Sequence, residues 1–389
     1  MSTLLDNLPK QIFDRPSISD ILLDHCTPAT IFRLGRTCKR LRQVTQFYCR
    51  RAFDINSHLR RFLSDPVGFR ALMERTGTLI SGSNALQLMD RTLYPESDLD
   101  IYAEQRHCRE VGRWLVEREG YTFRPHLGQP RDLERAAGMR RAISDPEYEV
   151  ISVYTVLDFI SAPLLDGSQR IVQVIVARRS AMESAVMNVI THCAAYSLYP
   201  KATFEERRSL VIGDRLNLHR KALEKYASRG YRNVMQLMPD EVASPTSPFR
   251  TGERWVGDDV TWVIPLDMTG VKLCPLSRTT PALTFDPITL CSWKHYKRES
   301  KGTEDVTVKY CITHGELNSA LFYYTYTVPP DLDDKYKNKD IWSWSDDELP
   351  AWKKILFEKR QEPGWNQPDP DQLLREQREW DMMAELLAG

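Results

Sequence analysis

Apolar side chains fall at Ile31, Leu34, Cys38, Leu41, Val44, Tyr48 and Ala52, in steps of three or four. That spacing places them on one helical face and predicts helices through residues 8–60. Thr27-Pro28 suits a helix start, with proline in the first turn. Gly35 marks a break between two short helices. Farther along, Phe69–Glu74 reads as helix and Thr78-Leu79-Ile80 as a short apolar strand running into Ser81-Gly82-Ser83. Ala85–Asp90 is helical again. Polar and apolar residues alternate from Ser97 to Asp100 and the run continues to Tyr102, which predicts a strand. Cys108–Glu119 has a one-sided apolar face and stops at Gly120, as helices do. Tyr148–Phe159 and Arg170–Arg178 are rich in β-branched residues and flank Asp166-Gly167, a hairpin signal. Ala181–Tyr196 and Glu205–Ala227 read as helices. Met238–Arg254 holds three prolines with several Ser and Thr and reads as a linker. Trp255–Thr327 reads mostly as strand. Ser345-Asp346-Asp347-Glu348 resembles a capping box opening a helix through Arg360.

The expected fold class is α+β. A helical segment occupies 1–60, a mixed sheet flanked by helices 61–235 and a linker 236–254. A β-rich segment with an acidic, Trp-rich helical tail fills 255–389. Five of nine tryptophans lie in that tail (Trp342, Trp344, Trp352, Trp365 and Trp380), where they are expected to clamp across the β-rich segment or form a peptide-binding surface.

Composition narrows the function classes. The 389 residues carry 53 basic and 53 acidic side chains, so a globally basic nucleic-acid packager is excluded. Charge is uneven: Ile31–Arg61 holds nine basic residues and one acid, and 331–389 holds 15 acids and nine basic residues. The basic run has few interleaved aromatics suited to base stacking, so nucleic acid is not an expected partner. No apolar run approaches the length of a membrane span, and the N-terminus lacks the basic start and apolar run of a signal peptide. A cytoplasmic or nuclear location is expected. The eight cysteines form no C-x-x-C pair, and no Cys/His spacing suggests structural zinc.

Candidate chemistry concentrates in Ser81-Gly82-Ser83 and Ser97-Asp98-Leu99-Asp100. A Gly-Ser turn after a buried strand lets backbone N–H groups approach a phosphate. Asp98 and Asp100, two apart on a strand, leave the same face. Converging to about 4 Å, they repel by roughly 4 kcal/mol at an effective dielectric of 20, and a divalent cation such as Mg²⁺ removes that cost. The plainer alternative is an ordinary helix start beside two solvated, diverging carboxylates.

Strand, Gly-Ser, helix and Asp-x-Asp strand together resemble the DNA-polymerase-β-like nucleotidyltransferase superfamily. Thr76-Gly77 through Asp100, Ile171–Ile175, Met187-Asn188, Tyr199-Pro200, Lys225-Tyr226 and Arg229-Gly230 are similar to an expanded set of basidiomycete fungal proteins. Many of those begin with an F-box-like segment, and Leu8–Ile12 and Leu34–Leu41 look similar to one. The resemblance covers about residues 8–230. It implies nucleotide binding through Gly82, Ser83 and Lys225, metal binding through Asp98 and Asp100, and an N-terminal helical face docking on the adaptor of a cullin–RING ubiquitin ligase. That face carries Leu8, Ile12, Ile31, Leu34 and Leu41.

The departures are informative. Active members use a third carboxylate on a later strand, and the matching position here is Gln173. A neutral amide is no general base and a poor Mg²⁺ ligand. Asp158 or Glu149 would replace it only in a different strand register. Gly82 and Asp98 stand 16 residues apart, farther than active members suggest, and a second glycine is missing near Leu86. The expected function is therefore an F-box-like adaptor or interaction protein, with a degenerate nucleotidyltransferase fold that binds a partner or nucleotide without efficient catalysis. The alternatives are an active Mg²⁺-dependent nucleotidyltransferase and a purely structural interaction protein. His192 and Cys193, read as helix neighbours, are expected to pack in the core rather than act as a nucleophile pair.

Overall fold

The computed structural model describes residues 12–13, 15–139, 153–177, 187–211, 220–244, 246–273, 275, 283–301, 306–317, 322–328 and 345–351. The Leu8–Gln11 motif, Glu149 and the five C-terminal tryptophans lie outside them. The chain divides into two compact units. The larger comprises Met1–Gly252, Gly257–Cys274 and His295–Ile312, and the smaller Glu253–Val256, Pro275–Lys294 and Thr313–Gly389.

The larger unit begins with helices α1 (Pro16–Asp24), α2 (Pro28–Gly35) and α3 (Lys39–Ala52). As the sequence suggests, Thr27 caps α2, its side chain accepting from the Thr30 N–H at 3.2 Å. The three helices bury a small cluster of Leu23, Ile31 and Tyr48. The short helix α4 (Ile55–Leu59) and the turn after it belong instead to the main core, to which Phe53, Ile55, Leu59, Phe62 and Leu63 contribute.

That core lines one face of an eight-stranded mixed sheet. In chain order the strands are β1 (Leu79–Ile80), β2 (Leu99–Glu104), β3 (Thr122–Arg124), β4 (Val153–Ile160), β5 (Ile171–Ala177), β6 (Asn188–Ile190), β7 (Ala194–Ser197) and, farther on, Trp262–Pro265. In space they run from Trp262–Pro265 through β7, β6, β1, β2, β5 and β4 to β3. β1 pairs antiparallel with β2, β2 parallel with β5, and β5 antiparallel with β4, so the expected hairpin is present. Leu99, Ile101, Val172, Val174, Leu157 and Phe159 all enter the core. The strand period therefore sends Asp100, Gln173 and Asp158 to the opposite face. Helices α5 (Pro66–Thr76), α6 (Gly82–Asp90) and α7 (Cys108–Glu117) lie where the sequence predicts helix, and α8 (Leu133–Ala137) is a further short helix.

Two helix expectations are corrected. Residues 188–190 and 194–197 are strands rather than the end of a helix, and His192 and Cys193 sit in the turn joining them. The fully buried Arg70 side chain holds that turn, donating to the His192 carbonyl from Nε at 2.9 Å and Nη2 at 2.7 Å. In 205–227, Lys201–Glu205 is a π-helical turn and β8 (Arg208–Leu210) a strand paired with β9 (Arg232–Val234). Helix occurs only from α9 (Arg220–Ser228) onward among the described residues of that stretch. In both places, short strands lack the alternation that would separate them from an apolar helix.

α6 ends at Arg91, whose backbone is left-handed at φ 54°. The Arg91 guanidinium reaches the N-terminal helices. Its Nη1 donates to the Leu23 carbonyl at 2.9 Å and the Tyr48 hydroxyl at 2.5 Å, and its Nη2 to the Cys26 carbonyl at 2.5 Å.

In the smaller unit, Gly315–Leu317 pairs antiparallel with Tyr326–Val328. Buried Asp346 accepts from the Tyr323 N–H at 2.7 Å and the Tyr326 hydroxyl at 2.5 Å. The Ser345/Glu348 capping box is present and opens a 3-10 turn. Short strands recur among the described residues of 252–328, and one of them, Trp262–Pro265, belongs to the main sheet. No helix among the described residues is long and apolar enough to cross a membrane.

Candidate functional site

Ser81 stands where a capping side chain would close α6, yet it makes no cap. Its hydroxyl turns away and donates to the Asn188 carbonyl at 2.7 Å. The helix start is closed instead from the neighbouring strand, where the Asp100 carboxylate accepts from the Ser83 backbone N–H. This approach requires glycine at 82. Gly82 has a φ of 64°, and a Cβ there would collide with Asp100 Oδ2. The backbone adds a second tie, with the Ser81 N–H donating to the Asp100 carbonyl at 3.2 Å. The Gly-Ser turn and the Asp-x-Asp strand, separate in sequence, thus meet at the N-terminal end of a nine-residue helix, where the helix dipole favours negative charge.

Charge at this corner is unbalanced. Burial, reinforced by the neighbouring Asp98 carboxylate, pushes the Asp100 carboxyl upward, and Lys225 on α9 opposes the shift together with the Ser83 N–H. Lys225 is exposed and close enough to act on Asp100, so the structure brings together Gly82, Ser83, Asp98, Asp100 and Lys225. The Tyr226 hydroxyl is pushed up to about 12 by burial and then by Asp100 and Asp98. Two carboxylates with a like-charge penalty, with an ammonium nearby, form the kind of donor set that a divalent cation takes.

The corner is braced from behind. Asn84 donates through Nδ2 to the Asp98 carbonyl. Its Oδ1 accepts from Arg61 Nη2 at 3.0 Å and lies 3.1 Å from His58 Nε2. Burial and then Arg61 push the His58 imidazole down to about 4.

Gln173 lies directly beside Asp100 in the sheet register, and Asp158 directly beyond Gln173. This register keeps Gln173, and not Asp158, in the position next to Asp100. Asp158 shares the face one strand farther from Asp100, and it is already engaged. Its Oδ1 accepts from Gln173 Nε2 at 3.0 Å and lies 3.1 Å from His126 Nε2, and its Oδ2 accepts from Arg124 Nη2 at 2.9 Å. The carboxylate is only 6 % exposed.

Sequence reasoning missed the cleft beside this corner. About 100 Å³ in volume and partly open to solvent, it is bordered by Gly82 and walled by Tyr199, Tyr226, Tyr231 and Phe249. Its residues come from 82 to 249, so no local spacing announces it; Tyr199 and Tyr226 were noticed only within the resemblance.

The face expected to meet an adaptor is partly internal. Ile31 is 0 % exposed, packed in the Leu23–Tyr48 cluster. Phe32 of α2 meets Trp262 edge-on with ring centroids 6.2 Å apart, and Trp262 stacks on Phe204 at 5.3 Å. Arg33 pairs with Glu205 at 3.3 Å.

No family model, curated protein or solved structure matches the chain.

Proposed function

We propose that this chain binds a nucleotide-bearing ligand as its divalent-cation complex and does not transfer the nucleotidyl group efficiently. The observation that carries this reading is the seating of the Asp100 carboxylate on Gly82 and the Ser83 N–H, with Asp98 beside it. A like-charge pair at a helix start is costly unless a cation accompanies it. Asp98 and Asp100 would hold Mg²⁺. The α6 N–H groups and Lys225 would meet phosphate oxygens. Gln173 in the row beside Asp100 supports binding without efficient transfer, because an amide neither takes a proton from an attacking hydroxyl nor adds charge for a second metal ion. Asp158 does not fill the gap, since its two oxygens are engaged by Gln173 and Arg124. In this reading the chain is a nucleotide-dependent interaction protein with a degenerate nucleotidyltransferase-like site.

Calorimetry with Mg²⁺ and nucleoside triphosphates tests it. Wild type is expected to bind at micromolar to submillimolar ligand, and Asp98→Ala and Asp100→Ala to lose that binding while remaining folded. Labelled nucleotide should not be incorporated into any acceptor. Absence of binding at millimolar ligand would remove the reading. Robust Mg²⁺-dependent incorporation, lost in Asp100→Ala, would instead establish an active transferase.

A further inference from the structure

We propose that the aromatic cleft beside Gly82 holds an adenine ring, read at its edge by Asn188 Oδ1 and Arg208 Nε. The inference rests on the nucleotide reading and adds the identity of the base.

Charge is the first argument. Arg208 lines the cleft, but its terminal nitrogens are spent. Nη1 donates to Glu241 at 2.6 Å and to Glu206 at 2.9 Å, and Nη2 donates to Glu241 at 2.9 Å. With its terminal nitrogens committed to two carboxylates, Arg208 does not present the fork that a phosphate needs. The guanidinium also lies over the Phe249 ring, 5.1 Å from its centroid. A neutral ring suits such a wall, with the phosphates at the Gly82 end.

The second argument is shape and surface. Phe249, Tyr199 and Tyr231 are buried at the cleft and give it an aromatic lining. Aromatic stacking on a nucleobase contributes about 1–3 kcal/mol per base.

The third argument is unmet hydrogen bonding. Asn188 is 7 % exposed and lines the cleft, and its Oδ1 finds no hydrogen-bond partner among the described residues. Arg208 Nε–H is likewise buried without a hydrogen-bond partner among the described residues. Native proteins rarely leave such atoms unpaired, so a group that meets both is favoured. The cleft therefore offers one acceptor and one donor. Adenine presents an exocyclic amine beside a ring nitrogen, one donor and one acceptor. The corresponding edge of guanine presents two acceptors and leaves Asn188 Oδ1 unmet. Asn188 is fixed relative to the phosphate end, because its own carbonyl accepts the Ser81 hydroxyl at 2.7 Å.

Calorimetry with Mg²⁺ and ATP, GTP or inorganic tripolyphosphate separates this inference from the reading beneath it. Wild type should bind ATP roughly tenfold more tightly than GTP, as one unmet buried polar atom predicts, and more tightly still than tripolyphosphate. Asn188→Ala should reduce ATP to the GTP level and leave tripolyphosphate unchanged. Thr203→Trp, at another wall of the cleft, should block ATP and spare tripolyphosphate. It carries the test if Asn188→Ala lowers the unfolding temperature sharply. Equal binding of ATP and tripolyphosphate, or tighter binding of GTP, overturns the adenine inference alone. If none of the three ligands binds, the nucleotide reading falls and the inference falls with it.

Discussion

Asp100 and Asp158 lie on one row of one sheet face with Gln173 between them, and the protein treats them in opposite ways. Asp158 is surrounded by partners: Gln173 donates to one oxygen and Arg124 to the other, with the His126 ring 3.1 Å from the first. Asp100 has a single backbone N–H and a more distant Lys225, and it faces another carboxylate. A buried charge that is fully paired belongs to the architecture. A carboxylate kept beside a like charge, with a single helix cap in return, is the mark of a group retained for a ligand. The contrast separates two acids that are identical in type and only two strands apart.

The largest expected effect comes from removing the satisfied member. Asp158→Ala strands a guanidinium and an amide, and should cost about 3 kcal/mol of stability. Denaturant unfolding measures it, and a loss below about 1 kcal/mol would show that the pairing contributes little. Next is Gln173→Glu, which inserts a third carboxylate between the other two. Stability without metal should drop by roughly 2 kcal/mol, and Mg²⁺ should restore most of it while binding more tightly than to wild type. Thermal unfolding with and without Mg²⁺ reads both, and a Mg²⁺-insensitive variant would break the idea of a shared cation site.

His58 provides an intermediate case, a buried cation-former without a carboxylate. Its folded value is about 4 against an ordinary 6.5. The unfolded chain therefore binds the proton first as pH falls. Stability should be full above about 6.5 and decline towards 4, by on the order of 2 kcal/mol. His58→Gln should flatten that decline in a pH series of denaturant titrations; an unchanged slope would assign it to other groups. The smallest effect has the opposite sign from the first. Asp100→Asn should raise the unfolding temperature at neutral pH by a few degrees, because it removes a carboxyl whose charge the fold resists. A fall in that temperature would place Asp100 with Asp158 among the structural acids.

Much of this arrangement was readable from residue order. The Gly82-Ser83 start, the alternation around Asp98 and Asp100 and the hairpin about Asp166-Gly167 depend on neighbours within a few positions, where local chemistry decides. The row Asp100–Gln173–Asp158 depended on register, and only cross-strand pairing shows that Asp158 joins it with Gln173 in place. Residues 188–197 misled because β6 and β7 are three and four residues long and buried on both sides. Ala194 and Ala195 then look like helix formers, whereas tertiary pairing makes them strand. The cleft was illegible because its walls come from segments far apart along the chain.

The Arg91 clasp gives the N-terminal helices an unexpected standing. Helix α6 is nine residues long, about 13 Å. Asp100 closes one of its ends, and from the other Arg91 grips Leu23, Cys26 and Tyr48. Fraying at either end must therefore loosen the same short rod. In hydrogen exchange, the amides of α1–α3 and those at the start of α6 should open as one cooperative block, so these helices are not an interchangeable cassette. Any partner that grips them also pulls on the floor of the carboxylate corner.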